Sequence, residues 1–427
     1  MLQREIEEII EKEKREGEFI KPFYEKYCLS NIPSTIKSFF NIKTDKPVLP
    51  RSLHRDKIEV EKCNKVVLFF VDGFGYFQWT RHYKDNEFLN TFTEKGLVSP
   101  ITTVFPSTTA AAVTTINTGL TTQEHGLPEW TVYFKEIDQS INTLPFITLL
   151  GEDVAELGGN PKMLFDGQTF HQDLKKNNVK SFAFMNEQYA RGYYSDMIFK
   201  GSTVVPYTDF SDLFLKLRSL LRKEKGQAYF YVYIGDIDAV GHSFGPSSEE
   251  YAIQVSMLAH TFKKELRKTD EQAAKETLIL VTSDHGQVDI SPNKTIYLNR
   301  FQKVNDALRL GKSRNPILPT GSPRDVFLHI KDGMTADMKE FLEHKLRRKI
   351  FVMDTNNAIK NGLFGIGKVN KNFHDRIGDL LLIPRKNNTV WYEHMPGMKL
   401  NMLGHHGGMN KLEMFIPFAI ARLSDLI

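Results

Sequence analysis

From residue 65 onward, short apolar runs alternate with longer stretches of helical periodicity. Val66-Val-Leu-Phe-Phe-Val71 is apolar at every position and ends at Asp72-Gly73. Similar β-rich runs occur at 181–185, 228–234, 277–282 and 379–383. Runs that are apolar on both faces and separated by helix-length segments predict a parallel sheet covered on both sides. Helices are expected over about 108–119, 209–225, 247–267 and 334–348. Phe210, Leu213, Phe214, Leu217 and Leu221 supply the apolar stripe of the second. The expected fold class is α/β, with a central, mostly parallel sheet and helices on both faces.

Two segments depart from this rhythm. In residues 1–61, Ile6, Ile9 and Ile10 recur at helical spacing among charged residues, which predicts a short amphipathic helix from Met1 to about Lys14. Pro47, Pro50 and the basic residues between 46 and 57 read as a linker. The stretch from about 294 to 376 is rich in Lys, Arg, Asn and Gly. Its own small α/β pattern, Asp325-Val-Phe-Leu-His-Ile330 followed by a helix, predicts a smaller inserted lobe. The expected organisation is an N-terminal helical extension and linker (1–61) and a core (62–427) interrupted by the lobe at about 294–376.

Composition narrows the function classes. With 41% apolar and 25% charged residues the chain is an ordinary globular one, which excludes disorder as its main state. A net charge of +4 over 427 residues gives no basic face of the kind that binds nucleic acid. Two cysteines, Cys28 and Cys63, exclude a disulfide framework and suit a reducing compartment. The start carries charges where a secretory signal needs an apolar stretch, and no run of ~18 apolar residues occurs. A cytoplasmic protein without membrane binding is expected.

Ligands of α/β sheets bind beyond the carboxyl ends of the strands. The first run ends in Asp72, and 228–234 leads into Asp238-Ala-Val-Gly-His242. The run 277–282 ends in Ser283-Asp284-His285-Gly286, and Gly404-His-His406-Gly-Gly408 lies near the C-terminus. Singly, each has an ordinary reading as a helix cap, a hydrogen-bonded pair or a turn. Together, aspartates and histidines at successive element ends, each beside glycine, point to a metal centre. Oxygen and imidazole donors without thiolate suit Zn²⁺, with Mn²⁺ as the alternative, and six ligands suffice for two divalent ions. Between the first two clusters, Pro106-Ser107-Thr108-Thr109-Ala-Ala-Ala leads into a helix. Its hydroxyls fall at the cap and first turn, where free N–H groups and the helix dipole favour a phosphate.

With these residues in view, the sequence resembles the alkaline phosphatase superfamily in its nucleotide pyrophosphatase/phosphodiesterase branch. The likeness runs from about Lys65 to Phe418, with landmarks in order. They are Val71-Asp72-Gly73, Phe105-Pro-Ser-Thr-Thr109, Thr118-Gly-Leu120, Glu124-His-Gly126, Asp238 to His242, Ser283 to Gly286, Arg376-Ile-Gly-Asp379 and Gly404-His-His-Gly407. The resemblance implies an alkaline-phosphatase-like fold with the lobe as a cap. It implies one metal on Asp238, His242 and His406, and a second on Asp72, Asp284, His285 and the hydroxyl of Thr109. In the family pattern the nucleophile follows the motif proline by three residues, which selects Thr109. The implied reaction is cleavage of a small phosphate diester or nucleotide pyrophosphate through a phospho-threonine. The alternatives are phosphomonoester or phosphonate hydrolysis at the same site, or a metal-binding protein without activity. The sequence departs from the pattern at Ala112, where diesterases of the branch place an Asn that holds a phosphate oxygen. Trp130 and Tyr133 are candidates for stacking on a base.

Overall fold

The computed structural model describes residues 1–54 and 58–427, so the last three positions of the predicted linker lie outside the described residues. The strands of its two largest sheets, in chain order, are β1 (Lys65–Val71), β2 (Leu97–Thr102), β3 (Lys180–Asn186), β4 (Thr203–Tyr207), β5 (Ala228–Ile234), β6 (Thr277–Thr282), β7 (Thr320–Ser322), β8 (Asp325–Leu328), β9 (Ile350–Asp354), β10 (Leu380–Pro384) and β11 (Phe415–Arg422). Seven of them form the central sheet in the order β2-β11-β6-β1-β5-β3-β4. Neighbours from β6 through β4 pair in parallel, and β11 runs antiparallel between β6 and β2. The mostly parallel α/β sheet expected from the apolar runs is therefore present.

The alternation of side chains along each strand divides the core into two faces. Val66, Leu68 and Phe70 of β1 join Tyr229, Tyr231, Leu278 and Leu280 on one face. Val67, Phe69 and Val71 join Phe230, Val232, Ile279 and Val281 on the other. The helices that matter below are α1 (Arg4–Lys14), α2 (Thr109–Thr118), α3 (Phe210–Lys223), α4 (Asp236–Phe244) and α5 (Glu249–Leu266). The first face is covered by α2, through Ala111, Ala112 and Ile116. N-terminal side chains including Ile6, Ile10, Phe23, Tyr24, Leu29, Ile32 and Ile36 join that cover. The second face is covered by Leu213, Leu217 and Leu221 of α3 and Val255, Leu258 and Phe262 of α5.

One run belongs elsewhere. The run 379–383, read as a strand of the parallel sheet, contributes residues 380–383 to β10 of a separate four-stranded sheet, ordered β7-β8-β10-β9, in which every pair is antiparallel. The strand is apolar at each position because both of its faces are buried. Leu380 and Leu382 pack with Leu298, Val326 and Leu342, whereas Leu381 and Ile383 pack with Phe105, Phe327 and Phe364. No helix among the described residues is long and apolar enough to cross a membrane.

Candidate active site

The three adjacent strands β6, β1 and β5 end flush: Val71 pairs with Ile234, and Phe70 with Thr282. The residues that follow each strand are thereby set side by side. Asp72 follows β1, Ser283-Asp284-His285 follows β6, and Gly235 after β5 opens α4, which carries Asp238 and His242 one turn apart. Two glycines are dictated by this crowding. Gly73 has φ +71°, and a Cβ there would lie 2.9 Å from the Cα of Asp238. A Cβ on Gly286 would lie 2.1 Å from the carbonyl oxygen of Leu412. His406 arrives on the loop after the short strand Gly404–His405, which pairs with Val288–Asp289 just beyond the Asp284-His285 turn.

The seven side chains singled out in the sequence converge. His285 Nε2 lies 3.5 Å from Asp72 Oδ1, 3.3 Å from Asp284 Oδ2 and 3.3 Å from Thr109 Oγ1. His242 Nε2 lies 3.2 Å from Asp238 Oδ2 and 3.2 Å from His406 Nε2, which is 3.8 Å from Asp238 Oδ1. The rings of His285 and His406 stack at 3.5 Å between centroids and join the two groups. Two sets of donor atoms lie close enough to hold an ion: Asp72, Asp284 and His285, and Asp238, His285 and His406. His285 thus stands between the two groups.

Each donor is held by its far side. The Nδ1 atoms of His242, His406 and His285 donate to the carbonyls of Gly404, Ser107 and Gly286 at 2.9, 3.0 and 3.1 Å, leaving every Nε2 to face inward. Asp284 Oδ1 accepts from the N–H groups of Gly73 and His285 and from Ser283, while its Oδ2 is buried without a hydrogen-bond partner among the described residues. Asp72 repeats the arrangement. Tyr233 donates to its Oδ2, and its Oδ1 is buried and bare. Buried bare carboxylate oxygens are costly unless a cation meets them.

The titration of the site points the same way. Burial raises the Asp72 carboxyl well above its usual range, and the neighbouring Asp284 and Asp238 add to the shift. Asp238 is held low instead: burial works against its charge, but His242, His406 and His285 outweigh it. Burial, with the adjacent His285, holds the His406 imidazole well below its usual value and therefore neutral, the form that binds metals. Crowded carboxylates, the neutral His406 imidazole and inward oxygens fit divalent cations. The donor set contains no thiolate, because Cys28 lies in the apolar core beside the end of β2 and Cys63 against the carbonyl of Lys275.

Three hydroxyls begin α2, and the structure separates them. Ser107 donates to the carbonyl of Gly408 at 2.8 Å and accepts from Gly407 N. Thr108, the residue before the helix, directs its hydroxyl to Pro128 O at 3.4 Å. Only Thr109, the first helical residue, directs its hydroxyl to the cluster. The position read as a missing oxyanion residue, Ala112, is buried in the core beneath the sheet; Ala110 borders the open space instead. An amide at 112 would point into that core, so its absence removes nothing from this cavity.

That space is a cavity of about 490 Å³ opening onto Thr109, Asp238, His242 and His406. Trp130, 44% exposed, stands at its wall with Trp391, His394, Met398 and Lys399. Tyr133 does not line it. Its hydroxyl donates to Asp138 at 2.5 Å beside a second cavity, and its ring meets His329 edge-on. Two landmarks of the resemblance have structural duties. His125 accepts from Leu127 N at 3.1 Å within the buried turn after α2, and Arg376 donates to the carbonyls of Gly126 and Met163.

Some of the site was not visible in the sequence. Tyr233 looks like one more member of an apolar run, and Gln287, which donates to the Asp238 carboxylate, follows the motif without any signal of its own. Glu129, Ser322 and Pro323 also border the cavity. A Gly-Ser-Pro turn followed by the charged pair Arg324-Asp325 at the start of an apolar strand was the one available hint of the last two.

A family model for type I phosphodiesterase / nucleotide pyrophosphatase matches residues 66–409. The chain belongs to this family. Among curated relatives of this phosphodiesterase/pyrophosphatase chain, an uncharacterized pyrophosphatase/phosphodiesterase of Schizosaccharomyces pombe is 28% identical over 266 residues, covering 58% of this chain and 51% of that protein. The venom phosphodiesterase of Macrovipera lebetinus is 22% identical over 282 residues, covering 64% of this chain and 31% of that protein. The chain thus spans about half or less of the length of these relatives. Murine ectonucleotide pyrophosphatase/phosphodiesterase 5 shares the fold, with a TM-score of 0.64 at 18% identity over 84% of this chain and 88% of that one. Phosphonoacetate hydrolase of Sinorhizobium meliloti 1021, in complex with phosphonoacetate, shares it with a TM-score of 0.60 at 18% identity over 84% and 93%.

Proposed function

We propose that this chain hydrolyses small phosphate diesters or nucleotide pyrophosphate bonds with two divalent cations, Zn²⁺ or Mn²⁺, and the Thr109 hydroxyl as nucleophile. The observation that carries the reading is the convergence of three aspartates, three histidines and one threonine hydroxyl at the ends of three adjacent strands. Asp238, His242 and His406 would hold one cation, and Asp72, Asp284 and His285, with Thr109, the other. Bound there, the cations supply Lewis-acid stabilisation of phosphoryl charge, worth several kcal/mol.

The chain's own groups do the rest. Thr109 Oγ1 forms a bond to phosphorus as the ester oxygen leaves. Water then cleaves that phospho-threonine and restores the hydroxyl, so one water is added across the ester overall. The free N–H groups at the start of α2 favour the phosphoryl oxygens. The indoles of Trp130 and Trp391 offer flat faces to a nucleobase or other planar leaving group. We read the lobe from about 294 as a cap contributing Ser322, Pro323 and Trp391 to the cavity, with its far boundary moved beyond Pro384, where β10 ends.

A second reading, hydrolysis of a phosphonate bearing a carboxylate, is favoured by Lys399, a cation in the cavity wall able to meet that carboxylate. The deciding experiment assays protein of measured metal content on bis-p-nitrophenyl phosphate, a dinucleotide, p-nitrophenyl phosphate and phosphonoacetate. Two ions per chain with diester cleavage is the expected result. Selective cleavage of phosphonoacetate moves the assignment to the second reading. Two ions with no hydrolysis of any substrate leaves a metal-binding protein, and no ion at all overturns the proposal.

A further inference from the structure

The loop 404–408 that carries His406 is gripped from outside the central sheet. A Cβ on Gly407 would lie 2.4 Å from Asp325 Oδ1 and 2.5 Å from Ser322 Oγ, so the β7–β8 turn presses directly on the backbone beside His406. Ser322 donates to Asp325 Oδ1 and lies 3.3 Å from the carbonyl of His406. Beneath it, Arg324 forms a fully buried, two-pronged ion pair with Glu413, Nε to Oε1 at 2.9 Å and Nη2 to Oε2 at 2.7 Å. The same two carboxylate oxygens accept the N–H groups of Gly408 at 3.0 Å and Asn410 at 3.2 Å. A cation of fixed planar geometry on one lobe therefore orients a carboxylate that fixes the backbone immediately after His406.

We propose that Ser322 and Arg324 are positioning residues for His406, and through it for the cation it would share with Asp238 and His242; the inference rests on the two-cation reading above. Neither residue supplies a donor atom to the cluster. Their contribution is the placement of an imidazole whose own hydrogen bond, to Ser107 O, anchors only the ring. Partners of metal ligands typically change metal affinity about 10- to 100-fold when removed. A role confined to stability would lower the unfolding temperature and leave the two cation affinities in their original ratio.

The test titrates the chelator-stripped full chain with Co²⁺ and follows visible absorption, using wild type, Arg324→Lys, Ser322→Ala and, as reference, His406→Ala. Wild type should take up two equivalents. Arg324→Lys keeps the charge but loses the fork. It and Ser322→Ala should bind one equivalent normally and the other about 10- to 100-fold more weakly, losing the same absorption bands as His406→Ala. Two equivalents bound with wild-type affinity by the folded variants would overturn the positioning role alone, as would equal weakening of both. Wild type that binds no Co²⁺ would overturn the two-cation reading and this inference with it. If Arg324→Lys does not fold, Ser322→Ala, which leaves the Arg324–Glu413 pair intact, decides by the same criterion.

Discussion

At the start of α2 three neighbouring hydroxyls have three different environments, and this separates their chemistry. Ser107 and Thr108 are directed to backbone carbonyls, while Thr109 Oγ1 lies 3.3 Å from His285 Nε2. Thr109→Ala should lower kcat on the preferred ester by ~10³-fold or more with both ions retained. Thr108→Ala should stay within about tenfold of wild type. Hydrolysis rates and metal content of the two purified variants check this, and equal losses in both would remove Thr109 from its special place. A second residue merits a pH measurement. Glu129 is buried at the cavity wall beside Asp325, and burial raises its carboxyl from about 4.5 to about 7, with hydrogen bonds from Trp130 N and from Asp325 and Ser322 opposing the shift. An unfolded chain releases this proton near 4.5, whereas the folded one keeps it until about 7. Folding is therefore penalised progressively as pH rises through that window. Glu129→Gln should lessen the loss. Denaturant unfolding of both proteins at pH 5, 6 and 7 would show a stability difference that moves in the variant's favour with pH, and a constant difference would refute it.

At the scale of elements, glycine spacing reports which segments press on one another. Gly407, at φ +121°, would place a Cβ against the β7–β8 turn, while a Cβ on Gly226 would meet nothing within 4 Å. Gly407→Ala should cost about 1–3 kcal/mol, and Gly226→Ala should stay within about 0.5 kcal/mol. Thermal or denaturant unfolding of the pair makes the comparison, and equal stability would mean that the turn yields without cost. The two-glycine ending of Gly404-His-His-Gly-Gly408 was legible as a turn near a candidate metal ligand, but not as the seat of the β7–β8 turn. That seat depends on a contact between Gly407 and residues 322 and 325, more than eighty positions away. The helices α3 and α5 were readable because one stripe of each meets the sheet, whereas α2, buried at every position from Ala110 to Asn117, was readable from its capping hydroxyls and alanines. Strand β10 was assigned to the wrong sheet because burial on both faces yields the same apolar run in a central parallel sheet and in an antiparallel sheet wedged between two apolar clusters. The clustered aspartates and histidines were legible for the opposite reason: charged groups that interrupt apolar runs at their carboxyl ends have few structural uses there.

Taken as a whole, the molecule brings three aspartates to one point, where β6, β1 and β5 end together and α2, α4 and the 404–408 loop close over them. Without cations, burial raises the Asp72 carboxyl well above its usual range, and repulsion from Asp284 and Asp238 adds to the shift. The unfolded chain ionises Asp72 freely while the folded chain holds its proton, so this group should cost the stripped protein stability as pH rises from about 4 toward neutrality. Metal should reverse this, because ions that bind the folded state and not the unfolded one stabilise it by ~2.7 kcal/mol each at a hundredfold excess over Kd. Chelation at neutral pH should therefore lower the unfolding temperature by several degrees, and two equivalents of Zn²⁺ should restore it. The separation between stripped and loaded protein should narrow as pH falls toward 4, where a protonated Asp72 carboxyl neither repels nor binds. Differential scanning calorimetry of stripped and reloaded protein across that range tests the charge argument independently of any substrate. An unfolding temperature indifferent to chelation at every pH would mean that the converging carboxylates are reconciled by shared protons alone.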